Sequence, residues 1–231
     1  AQVLEILIQN DFVADSDITF MTGASYAAIK ALRDKHIIRS EQMEILRLPV
    51  NFDDLPRSTS PVLTEEQQTA VDQIASATSE TFLLHGVTGS GKTKVIMRMI
   101  DRIVADRKSV IMMVPEIALT PQTVGIFCRR YGERVAVIHS SLSQGERQDA
   151  WRRIERGEVD LVIGTRSAVF APLSNLGLIV IDEEQEGTYK SELSPKYHAR
   201  DIARYRCAKN SAMMLLCSAT PSIESYYKAE K

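Results

Sequence analysis

The chain has 231 residues, 44% hydrophobic and 25% charged, with a formal net charge of −2; at roughly 150 residues per domain this predicts one and a half to two domains, and the composition argues against a disordered chain, a fibrous repeat and a small secreted scaffold. No apolar run approaches the roughly 18 residues of a membrane span, and the first residues, AQVLEILIQND, lack the basic flank of a signal peptide, so the expectation is a soluble, cytoplasmic protein with no membrane partner. The near-neutral charge does not mark a nucleic-acid binder by itself, and any such assignment has to come from motifs.

In chain order, residues 1–48 read as a helix from Val3 to Gln9, a short turn, and a stronger helix from Ser25 to about Lys35 in which Ala28, Ile29 and Leu32 share a face. HIIRSEQMEILRLP then looks like two short strands around a polar turn. Helices followed by a strand pair suggest a small winged-helix domain. With five Lys/Arg against seven Asp/Glu in the first fifty residues, a packing or partner-docking module is an equal reading. Residues 49–62 hold three prolines, several Ser/Thr and two adjacent aspartates, a linker composition.

From Leu63 to Lys231 the pattern changes to short apolar runs separated by helical stretches: 81–84, 109–114, 134–138, 160–163, 176–181 and 212–216. Runs of this kind predict buried strands of a mostly parallel sheet covered on both faces, an α/β fold whose functional groups gather at the carboxyl ends of the strands. The cysteines Cys128, Cys207 and Cys217 are far apart and form no C-x-x-C pair, which predicts reduced core thiols and neither a disulfide framework nor a zinc site.

The chemistry-bearing motifs fall at those strand ends. Gly86-Val87-Thr88-Gly89-Ser90-Gly91-Lys92-Thr93 matches the P-loop pattern between a predicted strand and a predicted helix. Its glycines let backbone N–H groups surround phosphate oxygens, Lys92 supplies positive charge, and the Thr93 hydroxyl suits Mg²⁺. LGLIVI followed by Asp182-Glu183-Glu184-Gln185-Glu186 supplies the acidic partner: Asp182 for the Mg²⁺ shell and Glu183 to orient or deprotonate the attacking water. Glu184 and Glu186 read as surface charge. Upstream, Gln67 has two open readings, closing a capping box with Thr64 or reading the adenine edge. Ser143 and Glu146 read as a plain capping box.

VPEIALTPQ (114–122), Gly164-Thr165-Arg166-Ser167-Ala168 and Ser218-Ala219-Thr220-Pro221 combine hydroxyls, turns or a guanidinium at strand exits. Such groups suit grips on a phosphodiester backbone or sensors of the nucleotide state, and generic loops contain them too. The stretch Tyr189-Lys190 through Tyr197-His198-Ala199-Arg200 interleaves aromatics with basic residues. It is either a platform for stacking bases and holding phosphates of a single strand or a surface loop with inward tyrosines; His198 fits a structural role as well.

Together LTEEQ, GVTGSGKT, VPEIALTPQ, GTRSAVFAP, IDEEQ, YHARD and SATPSIES resemble the first motor lobe of the PriA-type primosomal DNA helicases of superfamily 2. The match runs over nearly all of residues 60–231. The resemblance implies a RecA-like P-loop lobe (63–231) behind a winged helix (1–48), with ATP and Mg²⁺ as cofactors. It makes Gln67 the adenine reader, places Lys92, Thr93, Asp182 and Glu183 in the nucleotide set, and favours Thr165 and Arg166 as strand contacts. The 189–200 stretch and the SAT segment then couple DNA binding to hydrolysis. Forked or single-stranded DNA, primosome proteins and single-strand-binding proteins are the implied partners. Two departures stand out: the fourth acidic-motif position, usually histidine in the family, is Gln185, and the family's zinc region and second lobe lie downstream of Lys231. The expectation is therefore a monomeric fragment of a 3′ to 5′ helicase, at best a weak ATPase and unable to unwind DNA by itself. Another superfamily 2 translocase, a P-loop kinase or small-molecule ATPase, and an ATP-gated docking module without turnover are the alternatives.

Overall fold

A computed structural model describes residues 2–9, 13, 15–39, 62–77 and 80–231. The chain divides into two compact units, Ala1–Ile45 and Leu46–Lys231, each described by itself.

In the first unit, helices α1 (Gln2–Gln9), α2 (Asp15–Thr22) and α3 (Tyr26–Asp34) bury Val3, Ile18 and Ile29, with Leu7, Val13, Ala24, Leu32 and Ile38 packed around them. Ser25 caps α3, its hydroxyl accepting the Ala28 N–H. Arg33 pairs with Asp15 at 2.8 Å and ties α3 to α2. Helix α2 falls where the sequence predicts a turn, because DSDITFMT shows no clear apolar stripe. Ala28, expected on the core face, is exposed, and Ile29 alone of the predicted trio is fully buried. The predicted strand pair lies almost wholly outside the described residues.

The second unit is built on one parallel sheet. Its strands are β1 (Thr81–His85), β2 (Ser109–Met113), β3 (Val135–Ile138), β4 (Leu161–Gly164), β5 (Leu176–Ile181) and β6 (Met213–Ser218), in the order β1-β6-β5-β2-β4-β3. Each coincides with a predicted apolar run: β2 to β6 are buried along nearly their whole length, as parallel strands covered on both faces are, while the edge strand β1 is only partly buried, with Thr81 and His85 exposed. Alternate residues go to opposite faces. Val110 and Met112 of β2 and Leu178 and Val180 of β5 join one core with α4 (Glu65–Ala75), α5 (Lys92–Ala105) and α6 (Pro121–Tyr131). Ile111, Met113, Ile179 and Ile181 join the other, with α7 (Gln144–Glu155) and α8 (Ala199–Asn210). A short helix, α9 (Ile223–Ala229), follows β6.

Helix starts follow their sequence signals. Ser143 and Glu146 form the expected reciprocal capping box on α7, and Thr120 caps α6 with Pro121 in its first turn. The three cysteines are free and buried, and burial raises the thiols of Cys128 to about 11 and Cys207 to about 12, which keeps both protonated at neutral pH. Among the described residues no helix is long and apolar enough to cross a membrane.

Candidate nucleotide site and coupling region

The adjacent strands β1, β6, β5 and β2 bring their carboxyl ends together, and with them the P-loop, the SAT segment and the acidic turn. Residues 86–91 form the loop between β1 and α5. Gly91 stands at the helix N-cap in the left-handed region, φ 83°, a conformation that glycine adopts without a Cβ penalty. A Cβ there would also stand 2.5 Å from Gln67 Nε2. Thr88, Gly89, Ser90 and Thr93 are exposed. The Lys92 ammonium is held against the loop by the carbonyls of Gly86 at 2.6 Å and Val87 at 3.3 Å.

Gln67 serves the cap and the loop together. Its Oε1 accepts the Thr64 N–H at 3.1 Å while the Gln67 N–H donates to Thr64 Oγ1, and its Nε2 donates to the Ser90 carbonyl at 2.8 Å. The capping reading and a place beside the P-loop are thus compatible.

The acidic turn begins where β5 ends. The Asp182 N–H donates to the Met113 carbonyl, 2.9 Å, and Asp182 Oδ1 accepts the Glu183 N–H at 3.1 Å. Glu183 is left-handed, φ 46°, an uncommon conformation for a residue with a Cβ. Burial, and then the neighbouring Glu183 charge, raise the Asp182 carboxyl above its ordinary value; the Glu183 N–H and the Lys92 ammonium oppose that shift. A desolvated carboxylate within the field of a P-loop lysine is chemically suited to a divalent cation. Among the described residues there is no group of three or more His, Cys, Asp or Glu able to hold a metal, and Mg²⁺ ordinarily takes one or two carboxylates together with substrate phosphates. Asp182 and the exposed Thr93 hydroxyl are the donors that fit it.

Gln185 occupies the gap between the turn and β6. Its Nε2 donates to Glu183 Oε2 at 2.9 Å, and its Oε1 accepts from Ser218 Oγ at 2.6 Å. Ser218 Oγ in turn accepts the Thr220 N–H at 2.9 Å. A neutral amide therefore links Glu183 to the SAT segment by donating at one end and accepting at the other. Ser218 is fully buried, so its part is in this link and it cannot touch a nucleic-acid strand directly; Thr220 is exposed.

The 187–200 region corrects two expectations. Tyr189 is 1% exposed and cannot stack on a base; its hydroxyl donates to the carbonyls of Asp182, 2.6 Å, and Met113, 3.2 Å. Arg200 Nη1 is committed to Glu184, 2.8 Å, and to the hydroxyls of Ser222 and Ser225. Glu184, expected as surface charge, is 2% exposed and joins this same cluster. Glu186 is exposed as expected.

His198 caps α8 through Nδ1, which accepts the Arg200 N–H at 3.2 Å; desolvation, then the Arg200 charge, lower its pKa. Lys190 is exposed and bridges His198 in antiparallel fashion. Arg166, after β4, donates through Nη1 to the carbonyls of Lys190, 2.5 Å, and Thr188, 3.3 Å, and its guanidinium lies 5.8 Å from the Tyr197 ring centroid.

Thr165, Arg166 and Tyr197 line a groove of about 420 Å³ with Ser140, Arg147 and Trp151. The sequence reading missed the last three. Ser140 donates to Glu116 of the VPEIALTPQ segment, and Arg147 donates to the Ser140 carbonyl at 3.3 Å; the signal that could have found them is the hydroxyl-rich HSS at the exit of β3.

A parallel sheet with a glycine-rich phosphate loop and an acidic turn at its carboxyl edge defines a P-loop nucleotide-binding lobe. Residues 64–229 match the DEAD/DEAH box helicase family, and the chain belongs to that family. Within it the sequence is of the PriA type. The chain is 47% identical over 215 residues to the replication restart protein PriA of Bacillus subtilis, covering 91% of this chain and 27% of that protein. It is 38% identical over 233 residues to PriA of Haemophilus influenzae, covering 97% and 31%. The chain thus spans about a quarter to a third of the length of these relatives. Among solved structures, RecG bound to a three-way DNA junction superposes with a TM-score of 0.53 at 24% identity, covering 77% of this chain and 23% of that one. The Hef helicase domain of Pyrococcus furiosus superposes with a TM-score of 0.50 at 19% identity, covering 71% and 34%. Both likenesses concern the fold.

Proposed function

We propose that this chain is the nucleotide-binding part of an ATP-dependent 3′ to 5′ DNA helicase of replication restart, and that the complete protein acts on forked or single-stranded DNA in the cytoplasm. The observation that carries the reading is the link from Glu183 through Gln185 to Ser218 and Thr220, which joins a hydrolytic carboxylate to a segment at the next strand end. On this reading the P-loop N–H groups and Lys92 hold the phosphates, and Thr93 and Asp182 hold Mg²⁺. The metal neutralises charge on the phosphates when bound. Glu183 takes a proton from the attacking water, with its carboxylate oriented by the Gln185 amide. Thr165, Arg166, Lys190 and Tyr197 grip or sense the strand, Gln67 stands beside the adenine, and residues 1–48 serve as a winged helix ahead of the motor. On this reading primosome and single-strand-binding proteins are its partners, and the working unit is a monomer.

A P-loop motor lobe alone lacks the transition-state cation a second lobe supplies, worth about 10³ to 10⁵ in rate in P-loop enzymes, so this chain by itself hydrolyses ATP weakly and does not unwind DNA. The deciding experiment measures ATP hydrolysis by the complete protein, by this chain and by Lys92→Ala in the complete protein, each with and without forked DNA. The reading expects DNA stimulation only in the complete wild-type protein. ATP binding with no DNA response in that protein would favour an ATP-gated docking module.

A further inference from the structure

Glu184 is a carboxylate withdrawn from solvent whose side chain takes no part in the nucleotide set. Its side chain is 0% exposed. Oε1 accepts the Ser222 N–H at 2.6 Å; Oε2 accepts from Arg200 Nη1 at 2.8 Å, Ser225 Oγ at 2.9 Å and Ser222 Oγ at 3.2 Å. Its own N–H donates to the Cys217 carbonyl of β6 at 3.1 Å. One side chain thus fastens the acidic turn to the first turn of α8, which carries Arg200, and to the start of α9, which carries Ser222 and Ser225. Burying a charge is costly unless it is paired and its remaining lone pairs are filled, and here donors on both flanking elements fill them.

The residues on either side explain what such a fastening does. Glu183 is held at φ 46°, and an unfavourable backbone conformation persists only where its surroundings over-determine it. Gln185 holds the bridge between Glu183 and Ser218. Glu184 sits between them in the chain and anchors the turn to α8 and α9.

We propose that Glu184 is a positioning residue for nucleotide hydrolysis. It keeps Glu183 in its left-handed conformation and makes the acidic turn, the N-terminus of α8 and the start of α9 move as one unit. A displacement at His198 or Thr220, next to the parts that it ties, then reaches the hydrolytic carboxylate. This rests on the reading of the site as an ATPase.

The test uses the complete protein, with DNA-stimulated ATP turnover measured well below each variant's melting temperature. Glu184→Ala is expected to lower kcat at least about tenfold while KM for ATP stays within about twofold, the signature of lost transition-state positioning and not of lost binding. Glu184→Gln keeps the side-chain length and an acceptor for the Ser222 N–H, and should recover a substantial part of kcat. Ser225→Ala removes one donor from a residue assigned no nucleotide or metal contact, and should lower kcat roughly threefold. Lowered melting with unchanged kcat in folded variants would overturn the proposal, as would a rise in KM alone. If Glu184→Ala does not fold, Ser225→Ala decides by the same criterion. Wild-type protein without turnover abolished by Lys92→Ala would sink the ATPase reading itself, and this proposal with it.

Discussion

The P-loop and the acidic turn meet at the same edge of the sheet but are built in opposite ways. The loop is mostly backbone, with exposed Thr88, Gly89, Ser90 and Thr93 and one lysine held by its own carbonyls. The turn is fastened through side chains: Tyr189 under Asp182, Gln185 beside Glu183 and Glu184 buried among Arg200, Ser222 and Ser225. A backbone cradle can stay open to a ligand because main-chain N–H groups are oriented by the local turn alone. A carboxylate that must act at one place needs neighbours from elsewhere in the chain to fix it.

That contrast breaks most severely at Gly91. Gly91→Ala forces a Cβ into the left-handed region and against Gln67 Nε2; the conformational cost of about 1–2 kcal/mol and the displaced Gln67 should weaken nucleotide binding about tenfold or more, measured by titration. Tyr189→Phe tests the other side. It removes only the hydroxyl that holds the Asp182 and Met113 carbonyls, and should lower stability by about 1–2 kcal/mol, read from denaturant unfolding, with the nucleotide affinity of the loop changed less than by Gly91→Ala.

Asp182→Asn should act in the opposite direction. The folded carboxyl has a raised pKa, so its contribution is fully present below the ordinary value near 4 and is lost as pH rises through the raised value. At pH 7 the ionised group costs stability in the absence of a cation. The amide should therefore raise the stability of nucleotide-free protein at pH 7 by about 1 kcal/mol, with the gain shrinking towards pH 4, while Mg²⁺-dependent stabilisation by ATP disappears. Thermal melting across this pH range checks both.

The smallest effect concerns the α8 cap. The lowered pKa of His198 means that its contribution is present above the ordinary value near 6.5 and is lost as pH falls through the folded value. Acidification should loosen the first turn of α8 by roughly 0.5 kcal/mol, seen as lower amide protection factors there at pH 5 than at pH 7 once the pH dependence of intrinsic exchange is divided out, and His198→Gln should remove that difference.

Strands β2 to β6 were legible because buried parallel strands are continuous apolar runs, β1 because its short apolar centre leads directly into the P-loop, and the P-loop because its ligands are contiguous. Helix α2 was not, since its place in the core depends on Ile18 meeting Val3 and Ile29 more than on any pattern of its own. For Tyr189 and Arg200 the sequence leaves two readings open, strand contact or inward packing, and the structure decides for the second. Their partners lie 7 and 16 positions away, at Asp182 and Glu184, and spacing in the loop could not distinguish an outward aromatic from an inward one.

The amino-acid sequence by itself determined the α/β class of the second unit, the phosphate loop and the acidic partner, because apolar runs, glycines and a lysine at fixed spacing act through local geometry. Only the tertiary structure decided that Glu184 is buried, that Gln185 bridges Glu183 and Ser218, and that Gln67 reaches the P-loop. Those outcomes depend on segments 23 to 41 positions apart for Gln67 with Ser90, Gln185 with Ser218 and Glu184 with Ser225, and a hydrogen bond over such separations exists only once the sheet has aligned its strand ends.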